Sequence, residues 1–320
     1  MDNRGDGSAH AAPQRFEWID VARGIGIVAV VAGHVWTGGH VRDALYSFHM
    51  PLFFLLSGLL SSPRPVMPFT IGQVGRQMRP YAAFLALLMV VDQIVEPWKG
   101  GRPIFHDWPQ DIVPVLLGGT WLRGPYTIFW FVPCLMVARI LFNAVLSRWP
   151  DPRDPRWLWA LLPVLGVAYV LGAVTDVSPL GLLTVPMAFL LLWAGAAWHR
   201  VAWRRWMLLL LVPLSLAGLL LLFPTLNMKA GDYGWPLLSM LSAVATSLLV
   251  LRLARRIAPV APWLAALGRA SLVIMYLHVA MIHYGGPYIG KIWLFAGALL
   301  GSFAIYQIMR VLPPLRRIFL

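Results

Sequence analysis

The chain has 320 residues, 59% of them hydrophobic and 12% charged, with a mean hydropathy of +0.70. Soluble domains are about 45–50% apolar and about 25% charged, so this balance excludes an ordinary soluble fold and points to an all-α, polytopic transmembrane helical bundle. The net charge of +13 would suit a nucleic-acid binder, but its distribution excludes that partner, and the single cysteine, Cys134, excludes an internal disulfide.

Residues 1–15 are polar and irregular and are expected to form a disordered cytoplasmic N-terminus. The apolar run after them starts too late and is too long for a signal peptide. Residues 16–312 read as one transmembrane domain, and 313–320 as a short basic cytoplasmic tail. Ten apolar segments are expected, at 19–39, 47–62, 79–96, 125–146, 157–174, 180–199, 206–224, 235–253, 268–285 and 287–309. Each is near the length needed to span a bilayer. The second holds Pro51 and Gly58 and reads as a broken or tilted helix. With the N-terminus in the cytoplasm and strict alternation, 20 of the 26 basic residues fall on the inner side, which carries +14 against −1 outside. That is the positive-inside asymmetry. Only an even number of spans produces it, so both termini are expected in the cytoplasm. The longest outer loop, 97–124, contains an apolar patch at 112–117 and is expected to pack over the outer mouth.

The first segment, FEWIDVARGIGIVAVVAGHVW, carries Asp20, Arg23 and His34. An Asp or Arg at the centre of a spanning helix costs roughly 2.5–3.5 kcal/mol on insertion scales, and such groups are usually kept for function. Arg23 and His34 are eleven residues apart, almost three turns, so they share one face with about 16 Å between them. Asp20 is placed to pair with Arg23. His34 reads either as a packing histidine hydrogen-bonded between helices or as a general base deep in the bilayer.

Arg76 and Arg79 precede Pro80 in GQVGRQMRPY. Proline suits the first helical turn, so the third span is expected to start there, with two arginines at a helix N-terminus suited to phosphate. The alternative is plain inner-loop arginines. His49, before Met50-Pro51, and His278, within LVIMYLH, each read as packing residues or as substrate contacts. Ser57 reads as a small packing residue beside Gly58. Asp92 and Glu96 are expected at the outer interface, with an acceptor-site role as the alternative. No histidine pair has metal-ligand spacing, so no metal is expected. Tyr81, Trp130 and Tyr276 are candidates for stabilising an oxyanion.

Two stretches carry a family resemblance: IDVARGIGIVAVVAGH (19–34) and FHMPLFFLLSG (48–58). Weaker support comes from RQMRPY (76–81), FWFVPCL (129–135) and LGRASLVIMYLH (267–278). In their order and spacing they resemble the acyltransferase-3 family of integral-membrane O-acyltransferases, most closely its fucose 4-O-acetylase-like branch. The resemblance implies a bacterial cytoplasmic-membrane enzyme that moves an acyl group, usually acetyl, from cytoplasmic acyl-CoA to a hydroxyl of a glycan or lipid-linked sugar. It implies catalytic roles for His34 and Arg23, with Asp20 beside them, and coenzyme A contacts at Arg23, Arg76, Arg79 and Tyr81. His49, Ser57, Trp130 and His278 are then the acceptor-side candidates. A homo-oligomer is left open. The rival readings are a transporter or flippase that uses the same buried Arg and His as a substrate path, and a membrane scaffold.

Overall fold

A computed structural model describes residues 16–320; the disordered N-terminus expected at 1–15 lies outside the described residues. Among the described residues the regular elements are all helices, apart from one isolated bridge between Asn227 and Asp232. The helices are α1 (Glu17–Val35), α2 (Gly39–Tyr46), α3 (His49–Leu59), α4 (Val66–Trp98), α5 (Ile112–Leu117), α6 (Phe131–Arg148), α7 (Leu158–Val174) and α8 (Val185–His199). They continue as α9 (Leu208–Leu219), α10 (Leu238–Ile257), α11 (Pro262–Arg269), α12 (Ser271–Gly285), α13 (Lys291–Ala296), α14 (Ser302–Val311) and α15 (Pro313–Phe319).

Among the described residues seven helices are long and apolar enough to cross a membrane. An eighth is gained if α11 and α12, bent by 77° at their junction, count as one broken span. All ten expected segments contain helix, but two are shorter than expected. The second is α3, eleven residues and about 16 Å long, well short of a hydrocarbon layer about 30 Å thick. The seventh is a short apolar helix, Arg205–Leu219. Apolar composition runs past the helix ends in both places, and composition alone does not mark where the backbone turns.

Pro80 does not start the third span. It lies inside α4, which begins at Val66 and runs for 33 residues, about 50 Å. Membrane helices tolerate an interior proline where neighbours and local adjustment satisfy the freed carbonyl. Arg76 and Arg79 therefore project from the side of a helix rather than crowning its N-terminus. The expected basic tail is also helical: α15 returns to α4, and Phe319 packs against the buried Phe84 with ring centroids 4.8 Å apart.

Two glycine crossings set the core. A Cβ at Gly24 would lie 2.1 Å from the Leu264 carbonyl oxygen, and one at Gly268 would lie 1.8 Å from that of Asp20. Thus α1 crosses α11 backbone to backbone. At the crossing of α3 on α8, a Cβ at Gly58 would lie 1.8 Å from the Leu192 carbonyl oxygen and one at Gly195 2.0 Å from that of Leu55. Inside a membrane, helix association gains mainly from such close packing.

One end of the bundle gathers arginine. Arg255 lies over Trp18 and Arg252 over Trp203, each 4.2 Å from the ring centroid. At the other end, loop 99–111 is held by the fully buried Asp92, whose carboxylate accepts from the Ile104 amide and the Tyr284 hydroxyl, each at 2.7 Å. Gln93 adds a bond to the Phe105 carbonyl at 2.6 Å. Glu96 pairs with Lys99 at 3.4 Å and with His283 at 3.5 Å. These contacts make Asp92 and Glu96 structural ties of this end.

The crossings give a direct test. Gly268→Ala should lower stability by at least about 1–3 kcal/mol, the usual cost of overpacking. Gly166→Ala, where nothing lies within 4 Å of the added Cβ, should be neutral or slightly stabilising. Thermal unfolding of the two variants in one detergent reads the difference.

Candidate functional site

Two cavities lie along α1. The larger, about 560 Å³, is at the arginine-rich end and within the usual size range of small-molecule sites. Five arginines line it: Arg23 from α1, Arg64 from the α3–α4 link, Arg76 from α4, Arg139 from α6 and Arg269 at the end of α11. Gln73, Gln77, Ser57 and Ser271 add polar groups, and no carboxylate is among the lining residues. Asp20, behind the wall and buried, holds Arg23 through an Oδ1–Nη1 contact of 3.4 Å. Arg64 is placed through its backbone: its amide donates to Asn143 Oδ1 at 3.1 Å, and its carbonyl accepts from Asn143 Nδ2 at 3.0 Å and Ser147 Oγ at 2.7 Å. A concave wall of guanidinium groups facing no lining acid suits an anion, and planar forks of this kind match phosphate oxygens.

The smaller cavity, about 30 Å³, lies beside the last turn of α1. It has room for a water-sized group. His34, Tyr46, His49, Thr127, Trp130, Asn227 and Lys229 are among the residues lining it. His34 is thus covered by α2, by residues 127–130 and by residues 227–229, in the last turn of its helix. Its ring centroid is 5.1 Å from that of His278 and 6.0 Å from that of Tyr46, which in turn is 4.8 Å from His49. The three histidines, far apart in sequence, form one cluster.

Two of them have fixed tautomers. A backbone carbonyl only accepts, so the 2.7 Å contact of His49 Nδ1 with the Leu45 oxygen requires Nδ1–H, as does the 2.8 Å contact of His278 Nδ1 with the Ile274 oxygen. When neutral, each ring then offers only a lone pair at Nε2. Lys229 donates to Thr127 Oγ1, and burial pushes its ammonium below the usual lysine range.

Between the cavities the helices supply an apolar step. Phe53, Phe131 and Met275 line the larger cavity, while Met50 and Trp130 line the smaller. The rings of Phe53 and Phe131 meet edge to face at 6.1 Å.

The structure brings together most of the residues singled out from sequence. Arg23, Arg76 and Ser57 line the arginine cavity; His34, His49 and Trp130 line the other, with His278 against His34. Arg79 is exposed and lies off the lining. Tyr81 is not at either cavity: it packs on Phe129 at 5.3 Å, and a Cβ at Gly118 would lie 3.0 Å from its hydroxyl. Asp20 is fourteen residues from His34, about 21 Å along the helix, so it acts on Arg23 and not at the imidazole. Sequence reasoning missed Arg64, Arg139, Arg269 and Lys229. Arg139 carried the same signal as Arg23, an ionisable side chain within an apolar run, FVPCLMVARILF. Lys229, in an unremarkable loop, carried none. No group of His, Cys, Asp and Glu suited to a metal occurs among the described residues.

A family model described as an acyltransferase domain, Acyl_transf_3, matches residues 16–311. The comparisons with curated proteins and with solved structures each return no match.

The arginine wall predicts anion binding with a salt signature. Pyrophosphate should raise the unfolding temperature of the detergent-solubilised chain, and added salt should weaken the effect. Arg76→Ala or Arg139→Ala should lower pyrophosphate affinity about 10-fold to 100-fold, the loss of one charge-assisted hydrogen bond. Isothermal titration checks both.

Proposed function

The chain belongs to the acyltransferase-3 family, and from that premise we propose that it carries an acyl group, as a rule acetyl, from coenzyme A to a hydroxyl of a glycan or lipid-linked sugar, with His34 as the general base. At the coarser level it is a multi-pass membrane acyltransferase. The finer placement in the fucose 4-O-acetylase-like branch is supported by the stretches 19–34 and 48–58.

One observation carries the reading: a single helix, α1, presents Arg23 to a carboxylate-free arginine cavity and His34 to a second, histidine-lined cavity. The lengths agree. From diphosphate to thioester sulfur, coenzyme A has a chain of about twelve bonds; at the extended rise of about 1.2 Å per bond this spans roughly 14 Å. Arg23 and His34 are separated by about 16 Å.

In this reading the diphosphate and ribose phosphate bind Arg23, Arg64, Arg76, Arg139 and Arg269. Arg79 adds positive potential at the mouth. The positive-inside rule puts this end in the cytoplasm, where acyl-CoA is made, with both termini on the same side. The arm passes the step of Phe53, Phe131 and Met275, whose side chains rotate aside. The acceptor approaches from the opposite face. Its hydroxyl donates to His34, which takes the proton as the oxygen attacks the thioester carbonyl. The small cavity favours the reaction by holding the two reactants together with little water. His49 and Trp130 border the acceptor, and His278 fixes the plane of the His34 ring. A transporter reading accounts for the buried charges as well, but not for an acyltransferase family match over residues 16–311.

The base assignment is tested in cells. Deleting the gene should remove ester-linked acyl groups from surface glycans, and the wild-type gene should restore them. The His34→Ala protein, at equal membrane abundance, should restore them about a hundredfold or more less efficiently, the usual size of a general-base contribution. Mass spectrometry of the glycans gives the readout; full restoration by His34→Ala would remove the assignment.

A further inference from the structure

Acyl transfer of this kind passes through a tetrahedral intermediate, and its oxyanion needs a partner. The candidates near His34 can be sorted by what each atom has left to give. His49 and His278 have committed their Nδ1–H groups to the Leu45 and Ile274 carbonyls. As neutral rings they turn lone pairs, not hydrogens, toward other neighbours. Tyr81 and Tyr276 are away from the small cavity: Tyr276 stacks on Phe84 at 4.6 Å and its hydroxyl is buried without a partner. Tyr46, Thr127, Trp130 and Asn227 offer neutral donors. Among the residues lining the small cavity one carries an ammonium group, Lys229.

Its setting suits that work. Lys229 donates one hydrogen to Thr127 Oγ1, which orients the ammonium and leaves two N–H groups. No carboxylate pairs with it among the described residues, so its charge is not already neutralised. The cavity that it shares with His34 has space for a water-sized group, not for a sugar ring. The space therefore fits the reacting oxygen atoms rather than a whole acceptor.

We propose that Lys229, oriented by Thr127, is a catalytic residue that stabilises the oxyanion of the tetrahedral intermediate. This rests on the reading of the chain as a coenzyme A-dependent acyltransferase. The acceptor oxygen forms a bond to the thioester carbon, the carbonyl π pair moves onto its oxygen facing Lys229, and the hydroxyl proton passes to His34. The pair then returns, the C–S bond breaks, and the coenzyme A thiolate leaves and takes the proton from the His34 imidazolium. The ester and free thiol are the products. At the intermediate the negative oxygen lies between two cations, so it offsets the repulsion between the ammonium and the newly charged imidazole. A fixed cation in a site with little water is worth far more to a developing charge than it is in bulk solvent.

The test uses full-length protein in detergent, acetyl-CoA as donor and hydroxylamine as a small, neutral acceptor, with the uncatalysed reaction subtracted. Binding of acetyl-CoA is measured separately by calorimetry. Lys229→Met should bind acetyl-CoA within twofold of wild type and lose about a hundredfold or more in kcat. Lys229→Arg, which keeps the charge and cannot act as a base, should stay within about tenfold of wild type. A Lys229→Met protein with unchanged kcat overturns the proposal. So does a Lys229→Arg protein as slow as Lys229→Met, or a loss confined to the KM for hydroxylamine. If wild type itself neither binds acetyl-CoA nor accelerates transfer, the donor reading fails, and the role of Lys229 falls with it.

Discussion

The close crossing of α1 on α11 is the contact on which the rest of the site depends. Gly268 lies against the Asp20 carbonyl and Gly24 against that of Leu264, leaving no room for a side chain at either position. That fixes the register between the first helix and the broken span α11–α12. One consequence appears at the crossing, where Arg269 joins Arg23 in the larger cavity. Another appears further along α12, where His278 arrives beside His34. A helix pair held one residue's width further apart would disturb both ends of the site at once.

The site is built from charge separation along one axis. Five guanidinium groups crowd one end, where they repel each other until an anion arrives. The other end holds imidazoles whose hydrogen bonds to i−4 carbonyls fix their orientation. Between them is an apolar step of Phe53, Phe131 and Met275. In the function proposed for the chain, this step would keep the thioester in the histidine-lined cavity apart from the water at the charged mouth. At the same end of the bundle the Asp92 carboxylate ties loop 99–111 to α4 and α12 through its bonds to Ile104 and Tyr284. A buried carboxylate with such partners is satisfied, and it holds that loop in place.

The helical class and the importance of α1 were legible in the sequence because both rest on signals within one segment. Asp20, Arg23 and His34 stand out against an apolar run, and helical spacing alone puts Arg23 and His34 on one face. Helix ends were less legible. Pro80 looks like a first-turn residue, yet α4 runs through it, because the surroundings decide whether an interior proline is tolerated. Only the family resemblance put His34, His49 and His278 in one site; their ring contacts depend on which helices are neighbours, and no local pattern encodes that. Lys229 was missed for the same reason. A loop lysine is unremarkable until the fold covers an imidazole with that loop.

The central claim is that the arginine cavity and the histidine cavity are two ends of one donor site. A structure of the protein bound to a non-hydrolysable thioether analogue of acetyl-CoA tests it most directly. The account predicts the phosphates among Arg23, Arg64, Arg76, Arg139 and Arg269, the Phe53–Phe131 contact opened, and the acyl carbon beside His34, with room for an acceptor oxygen at about 3–3.5 Å from that carbon. An analogue bound with its acyl end still on the arginine side of Phe53 and Phe131, or running out between helices into lipid, would contradict it.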